Sequence, residues 1–390
     1  MSVNAMNFEQ SAQLLNLIHN QVTGKTAITP QNEADFVSVA TTTLQAGYDP
    51  VLNAITQVVG RTIFSNRPYK RRFRGIQVDN QKFGAITRKL QVIDKDWEES
   101  AQFDLVDGNS VDMYTVNKPE VLQTNFYGAN HVQRHYTIFR DQLDSAFHNA
   151  GEFGQFMSMI TQNNLDVIEQ TRENIARAVI ANFIGGKLSV NDDSTIHLLT
   201  EYNTATGNSF TKEDVHKPEN YPAFIKWVYG RVEQLCSMMT ERSQKFQINI
   251  EGKTVNRHTP YVDQRVYLNS QALAEITSRV LADTYHDNFL KFSETEGVNY
   301  WQAIDSPFSL NVVPSVLNPA DGTIITAEAQ TNDNVFGVIF DRDALGMTIV
   351  NEEATVTPYN ARGKYWNQWF TYTSRWWNDF TEKGIVLLLD

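Results

Sequence analysis

The chain has 390 residues, 41% hydrophobic and 20% charged, enough to bury a sizeable core and long enough for two or three lobes. A formal net charge of −12 sets it against phosphate and argues against a dedicated nucleic-acid binder. The single cysteine, Cys236, excludes an internal disulfide framework and a cysteine-based zinc site, and no stretch approaches the ~20 apolar residues of a membrane span. The start, MSVNAMNFEQ, lacks the basic lead and apolar run of a signal peptide, so the chain is expected to stay in the reducing cytoplasm where it is made.

Residues 1–60 read as an arm of two helical pieces, one around Phe8 to Val22 and one from Glu33 to Val59. Gly24 and Pro30 separate them, and Gly47 with Asp49-Pro50 breaks or kinks the second. Phe8, Leu14, Leu15 and Ile18 give the first piece an apolar face. A helix this short is marginal alone, so that face needs the rest of the chain or a neighbour to lie on. From Arg61 to Met113 the pattern changes to short alternating runs, FRGIQV, KFGAITRKLQVI and QFDLV, broken by Gly75, Gly84 and Asp107-Gly108, which is most simply a long hairpin. Its first half is basic, including Lys70, Arg71, Arg72, Arg74, Lys82, Arg88 and Lys89. Its second half is acidic, including Asp94, Asp96, Glu98, Glu99, Asp104 and Asp107.

After Lys118-Pro119 a strand in FYGANHVQRHYTIFRDQLDSAF leads to the longest periodic stretch, Phe153 to Ile184. There Met157, Ile160, Asn164, Ile168, Ile175, Val179 and Phe183 recur in steps of three and four along one stripe. The spacing predicts a helix on the order of 48 Å long, stopped by Gly185-Gly186. Such an element serves either as an ordinary core helix or as a strut across a broad protein. Residues 187–220 read as a loop-rich entry to a new lobe. A helix over Ala223 to Arg242 follows, with Pro222 in its first turn, then a strand at RVYLN and a helix over Gln271 to Leu281. The end, Val335 to Asp390, reads as three or more strands carrying Trp366, Trp369, Trp376 and Trp377, a sheet that needs an apolar partner such as the long helix.

Catalytic signals are weak. Gly24-Lys25-Thr26 ends like a phosphate loop, but His19 stands where the upstream glycine belongs. His131 and His135 lie four apart on a strand without a metalloprotease glutamate, and Asp192-Asp193 and Asp341-Arg342-Asp343 suit turns and caps as well as cations. Cys236 reads as core. No cofactor or metal is implied. The run YKRRFR, Tyr69 to Arg74, has the aromatic and basic mix of a nucleic-acid contact, and also the makings of inter-subunit pairing with carboxylates.

The order of arm, charged ribbon, strand, long helix, mixed lobe and returning strands, together with FGVIFDRDALGMTIVNEEATVTPYNARGKYWNQWFTYTSRWWNDF, resembles the Hong Kong 97-type major capsid proteins of tailed bacteriophages over essentially the whole chain. The resemblance implies an α+β fold with an N-terminal arm (1–60) and an extended E-loop (61–116). It also implies a peripheral domain built on a spine helix (117–187 and 335–390) and an axial domain (188–334). It further implies self-assembly into hexamers and pentamers of an icosahedral or prolate head around double-stranded DNA bound without sequence specificity. A separate scaffolding protein, a portal and assembly in the host cytoplasm without a membrane belong to the same expectation, and no catalytic residues come with it. The basic and acidic E-loop residues and the apolar arm face are the expected contacts between subunits. The rival readings are an encapsulin-like compartment shell and an enzyme with an unrecognised α+β site.

Overall fold

The computed structural model describes residues 7–25, 29–59, 73–78, 86–95, 97–100, 102, 105–110, 114, 116–127, 129–190, 192–280 and 295–390. The arm is three helices, α1 (Phe8–Thr23), α2 (Glu33–Gln45) and α3 (Tyr48–Val59). Each start follows from the sequence. Asn7 caps α1 by accepting from the Gln10 backbone N–H at 2.8 Å, while Gln10 returns the bond at 3.1 Å, and Asn32 caps α2 through the Asp35 N–H at 2.9 Å. Gly24 and Gly47 take positive φ of 69° and 113°, which ends α1 and separates α2 from α3, the break rather than the kink that Gly47 with Asp49-Pro50 allowed.

The arm is not a free appendage. Leu14, Leu15 and Ile18 are buried in a core shared with Phe36, Val51, Ile55, Phe147, Phe153, Met157 and Trp366, all in the same chain. Edge-on ring contacts of Phe153 with Phe36 and Phe147, at centroid distances of 5.8 and 5.1 Å, knit it further. The expectation that this face meets a neighbouring subunit is therefore corrected for Leu14, Leu15 and Ile18. Phe8 is half-buried and packs on the edge of the same core.

A ribbon of β1 (Ile86–Val92) and β2 (Val121–Tyr127) follows, then β3 (Asn130–Phe139) and the short α4 (Arg140–Ala146). The long helix α5 runs from Ala150 to Val190, 41 residues, which at 1.5 Å each is about 61 Å. It passes straight through Gly185-Gly186, so the expected stop is wrong. The glycines serve close approach: a Cβ on Gly185 would overlap the Val312 side chain, and one on Gly186 the Phe380 ring. The described part of its stripe touches two cores, Phe153 and Met157 in the arm core and Val179, Ile180, Phe183 and Ile184 in the central one.

Beyond α5 come β4 (Thr195–His197), α6 (Leu198–Thr206), α7 (Lys212–Val215) and α8 (Tyr221–Thr240, with Pro222 in its first turn). Next are β5 (Gln264–Asn269), α9 (Ser270–Val280) and four short strands, β6 (Thr295–Val298), β7 (Leu310–Val312), β8 (Ser315–Leu317) and β9 (Ile324–Thr326). The chain closes with β10 (Gln330–Asn332), β11 (Val335–Asp341), β12 (Leu345–Val356), β13 (Tyr365–Asn378) and β14 (Gly384–Leu388).

Two sheets organise the body. The five-stranded sheet has the order β4-β14-β11-β5-β6. One face, with Val338, Phe340, Tyr267 and Val386, packs on the C-terminal half of α5; the other, with Phe336, Ile339, Val266 and Ile385, packs on α8 and α9. Burial on both faces explains why VFGVIFD and GIVLLL are continuous apolar runs. The second sheet, β12-β13-β3, is antiparallel. The four C-terminal strands are thus divided: β12 and β13 join β3, while β11 and β14 are central in a sheet completed by strands from residues 188–334. This departs from the expected grouping of all of 335–390 with 117–187.

Candidate assembly interface and its roots

In the ribbon, antiparallel register runs from Ile86 opposite Tyr127 to Val92 opposite Val121. The period of two sorts its faces. Lys89, Gln91, Leu122, Thr124 and Phe126 turn toward the body, with Leu122 buried and Phe126 against Trp377 at a ring distance of 5.9 Å. Arg88, Leu90, Val92, Val121, Gln123 and Asn125 turn outward. Leu90, Val92 and Val121 are 60%, 61% and 53% exposed, and they are adjacent across the strand pair. Periodicity placed β1 correctly but not its partner: β2 lies beyond the acidic segment, which the sequence made the second half of the hairpin.

The acidic half does not all face outward. The Asp94 carboxylate accepts the Asn256 backbone N–H at 2.8 Å and pairs with Arg242 at 2.6 Å, and these partners hold it below the ordinary carboxylate range. Asp94 is therefore engaged within its own subunit, a correction to its expected inter-subunit role. Glu98 and Glu99 are exposed beside Trp97, whose ring is fully exposed; Leu105, Val106, Tyr114 and Val116 are exposed as well. Arg88 is exposed. Lys70, Arg71, Arg72, Lys82, Asp96 and Asp104 lie outside the described residues, as does the Arg74 side chain, although the Arg74 backbone forms a short turn with Gly75 and Ile76.

Besides Leu122, Phe126 and Asp94, two further attachments fix this excursion to the body. The first is Phe73, a bulky residue at φ 60°, its N–H donating to Glu296 Oε1 at 2.8 Å. Its buried ring stands 5.5 Å from Tyr267 and 5.0 Å from the Arg177 guanidinium, which also lies over Tyr300 at 3.8 Å. The second is ionic. Lys89 reaches Asp379 at 2.6 Å and also Glu382; Arg257 meets Glu382 too and donates to Gln91 and, at 2.8 Å, to Thr381 Oγ1. Burial alone would lower the Lys89 pKa, but attraction to Asp379 and Glu382 outweighs it and the pKa is raised. Burial lifts Asp379 and Glu382; Lys89 overcomes it only at Asp379, which is held low, while Glu382 stays above its ordinary value. No motif in the sequence marks this site. Its only signal was a polar run, Asp379 and Thr381 to Lys383, set between strongly apolar strands.

The weak chemical candidates find structural roles. His131 bonds Thr373 Oγ1 at 3.0 Å, and His135 stacks on Trp369 at 4.5 Å. Asp341 accepts from Thr259 Oγ1 at 2.7 Å and the Asp343 N–H at 2.8 Å. Cys236 is buried, which pushes its thiol up to about 12. Among the described residues no group of three or more His, Cys, Asp or Glu can hold a metal ion, and no helix is long and apolar enough to cross a membrane.

A helical arm, a two-stranded ribbon, a long helix bridging two cores and a pair of sheets are the parts of the Hong Kong 97-type capsid fold of bacteriophages. The capsid structure of Staphylococcus phage Andhra contains a chain that superimposes with a TM-score of 0.57 at 12% identity, over 84% of this chain and 87% of that one. The head fibre and inner core structure of native bacteriophage P68 contains another, with a TM-score of 0.54 at 10% identity, over the same shares. No curated protein matches the chain. The family model of the Phi29-like phage major capsid protein matches residues 15–381, and the chain belongs to that family. It is a major capsid protein, a structural component of the virion, and the compartment-shell reading is not favoured.

Proposed function

We propose that this capsid subunit joins hexamers and pentamers chiefly through the outward face of its ribbon, where Leu90, Val92 and Val121 are covered by an adjacent copy. The observation that supports this is an apolar trio, more than half exposed and adjacent on the outward face of a ribbon whose inward face lies on the body. Arg88, Glu98 and Glu99, with Lys70, Arg71, Arg72, Arg74, Lys82 and Asp96 on the same excursion, supply the charged rim that sets register between copies. The subunit divides into the arm, the E-loop, a peripheral part carrying α5 with the three-stranded sheet, and an axial part carrying the five-stranded one. Its role is structural, with no reaction of its own. The head is icosahedral or prolate, encloses double-stranded DNA without sequence specificity, forms in the host cytoplasm with a separate scaffolding protein, and carries a portal.

Electron microscopy of the protein purified after co-expression with a scaffold tests this. Closed shells in which the Leu90 face is covered by a neighbouring copy are the expected result. A compact monomer under all assembly conditions, or shells in which that face remains open to solvent, would overturn it.

A further inference from the structure

The ribbon's grip on its own subunit is uneven. On its body-facing side Leu122 is buried and Phe126 meets Trp377, and its charged attachments are the part-exposed Asp94–Arg242 pair just past β1 and Lys89, whose partners Asp379 and Glu382 have side chains only 1% and 10% exposed. A two-stranded ribbon is marginal alone, so its docking depends on a few attachments. Every other member of the cluster sits on the rigid body: Arg257 on a segment bonded back to Ser243, and Asp379 and Glu382 in the turn between β13 and β14. Two more charges act on the site from a distance, Asp341 on β11, which feels Lys89, and Lys187 on α5, which feels Asp379.

We propose that Lys89, Asp379, Glu382 and Arg257 form an ionic latch that holds the ribbon down on its own subunit, and that neutralising Asp379 releases the ribbon while the body stays folded. Three cations, Lys89, Arg257 and Lys187, face three carboxylates, Asp379, Glu382 and Asp341. Adding protons to the carboxylates leaves the cations facing one another. Lys89 is the one that moves, because it alone is carried by a marginal element. The direction follows from linkage at Asp379: burial raises its carboxyl, but the docked Lys89 outweighs this and holds it below its ordinary value, and lifting Lys89 away restores proton affinity there. The lifted ribbon therefore binds more protons, and acid favours it. The Phe73 attachment carries one carboxylate, Glu296, which accepts the Phe73 N–H, while the ring contacts of Phe73 with Tyr267 and Arg177 do not depend on that carboxylate's charge and persist when the latch opens. The latch is a property of the single subunit and stands or falls separately from the reading of the outward face.

Hydrogen exchange by mass spectrometry on the full-length unassembled subunit, at steps from pH 7 to pH 4 and corrected for intrinsic rates, tests the latch. Amides of β1 and β2 are expected to lose protection by roughly tenfold or more at a pH where β11 and β14 keep theirs. The double variant Lys89→Met with Glu382→Gln leaves Asp379 its bonds from the Thr381 N–H and Oγ1 and the favourable field of Arg257, and its ribbon should exchange fast at every pH. If ribbon and body lose protection together, or if the double variant follows the wild-type profile, the cluster is ordinary core and the latch is refuted.

Discussion

Lys187 shows how one side chain carries information that its sequence neighbours do not. In FIGGKLSV it looks like a solvent-facing cation near a helix end, yet it is fully buried, donating to the Phe246 carbonyl at 3.0 Å and Ser194 Oγ at 3.3 Å. Burial pushes its pKa down from 10.5 to about 8, against the pull of Asp192 and Asp379. Since the folded value lies below the unfolded one, the unfolded chain binds more protons between about 8 and 10.5, and wild-type stability rises with pH across that window. Below it the fold carries a buried charge. Lys187→Met should therefore raise stability at pH 7 by on the order of 1–3 kcal/mol, with the gain shrinking as pH rises past 8. The Phe246 carbonyl keeps its bond from the Gly384 N–H at 2.8 Å in that variant. Urea melts at pH 7 and pH 10 would read the difference; a variant less stable at pH 7 would mean that the two lysine hydrogen bonds outweigh the charge burial.

Among the elements, α5 was legible because its apolar steps persist for eight turns, and its end was not, because a glycine pair signals both a stop and a close approach. Only the folded structure reveals Val312 and Phe380 pressed against those two positions. Gly186→Ala removes a helix-interior glycine, which alone would add about 0.5–1 kcal/mol. The methyl must displace Phe380, stacked on Phe183 at 5.4 Å, and overpacking of this kind costs about 1–3 kcal/mol, so net destabilisation is expected in a denaturant melt. The arm follows the same logic. Its apolar positions were readable from sequence, while their destination in this chain's own core was not, since a short amphipathic helix looks the same whichever surface covers it. Deleting residues 1–30 removes α1 and opens the core that it shares with Phe36, Ile55 and Phe153. With Leu14, Leu15 and Ile18 each contributing roughly 1.5–3 kcal/mol, the unassembled subunit itself should melt lower or fail to fold. An unchanged melting temperature for the truncated monomer would return the arm to a purely inter-subunit role.

On the scale of the whole molecule, the question is whether charge or apolar contact carries assembly, and magnitudes decide it. An exposed ion pair contributes about 0–1 kcal/mol and is screened by salt, whereas covering a Leu or Val side chain contributes roughly 1.5–3 kcal/mol. The charge pattern was the feature easiest to see in the sequence; the outward trio was hidden because Leu90 and Val92 come from one strand and Val121 from a partner far along the chain. Two variants separate the contributions. Leu90→Asp with Val121→Asp changes exposed positions, so the free subunit should keep its unfolding free energy to within about 0.5 kcal/mol, while shell yield measured by sedimentation falls to background. Arg71→Glu with Arg72→Glu should weaken assembly of shells without DNA more mildly, and the deficit should narrow in high salt, as screened pairs require. If the aspartate variant assembles normally while the charge reversal abolishes shells, electrostatic register is the dominant contact. If empty shells form normally in both and only DNA retention fails in the charge reversal, the basic run faces nucleic acid, and the contact that builds the shell lies elsewhere on the subunit.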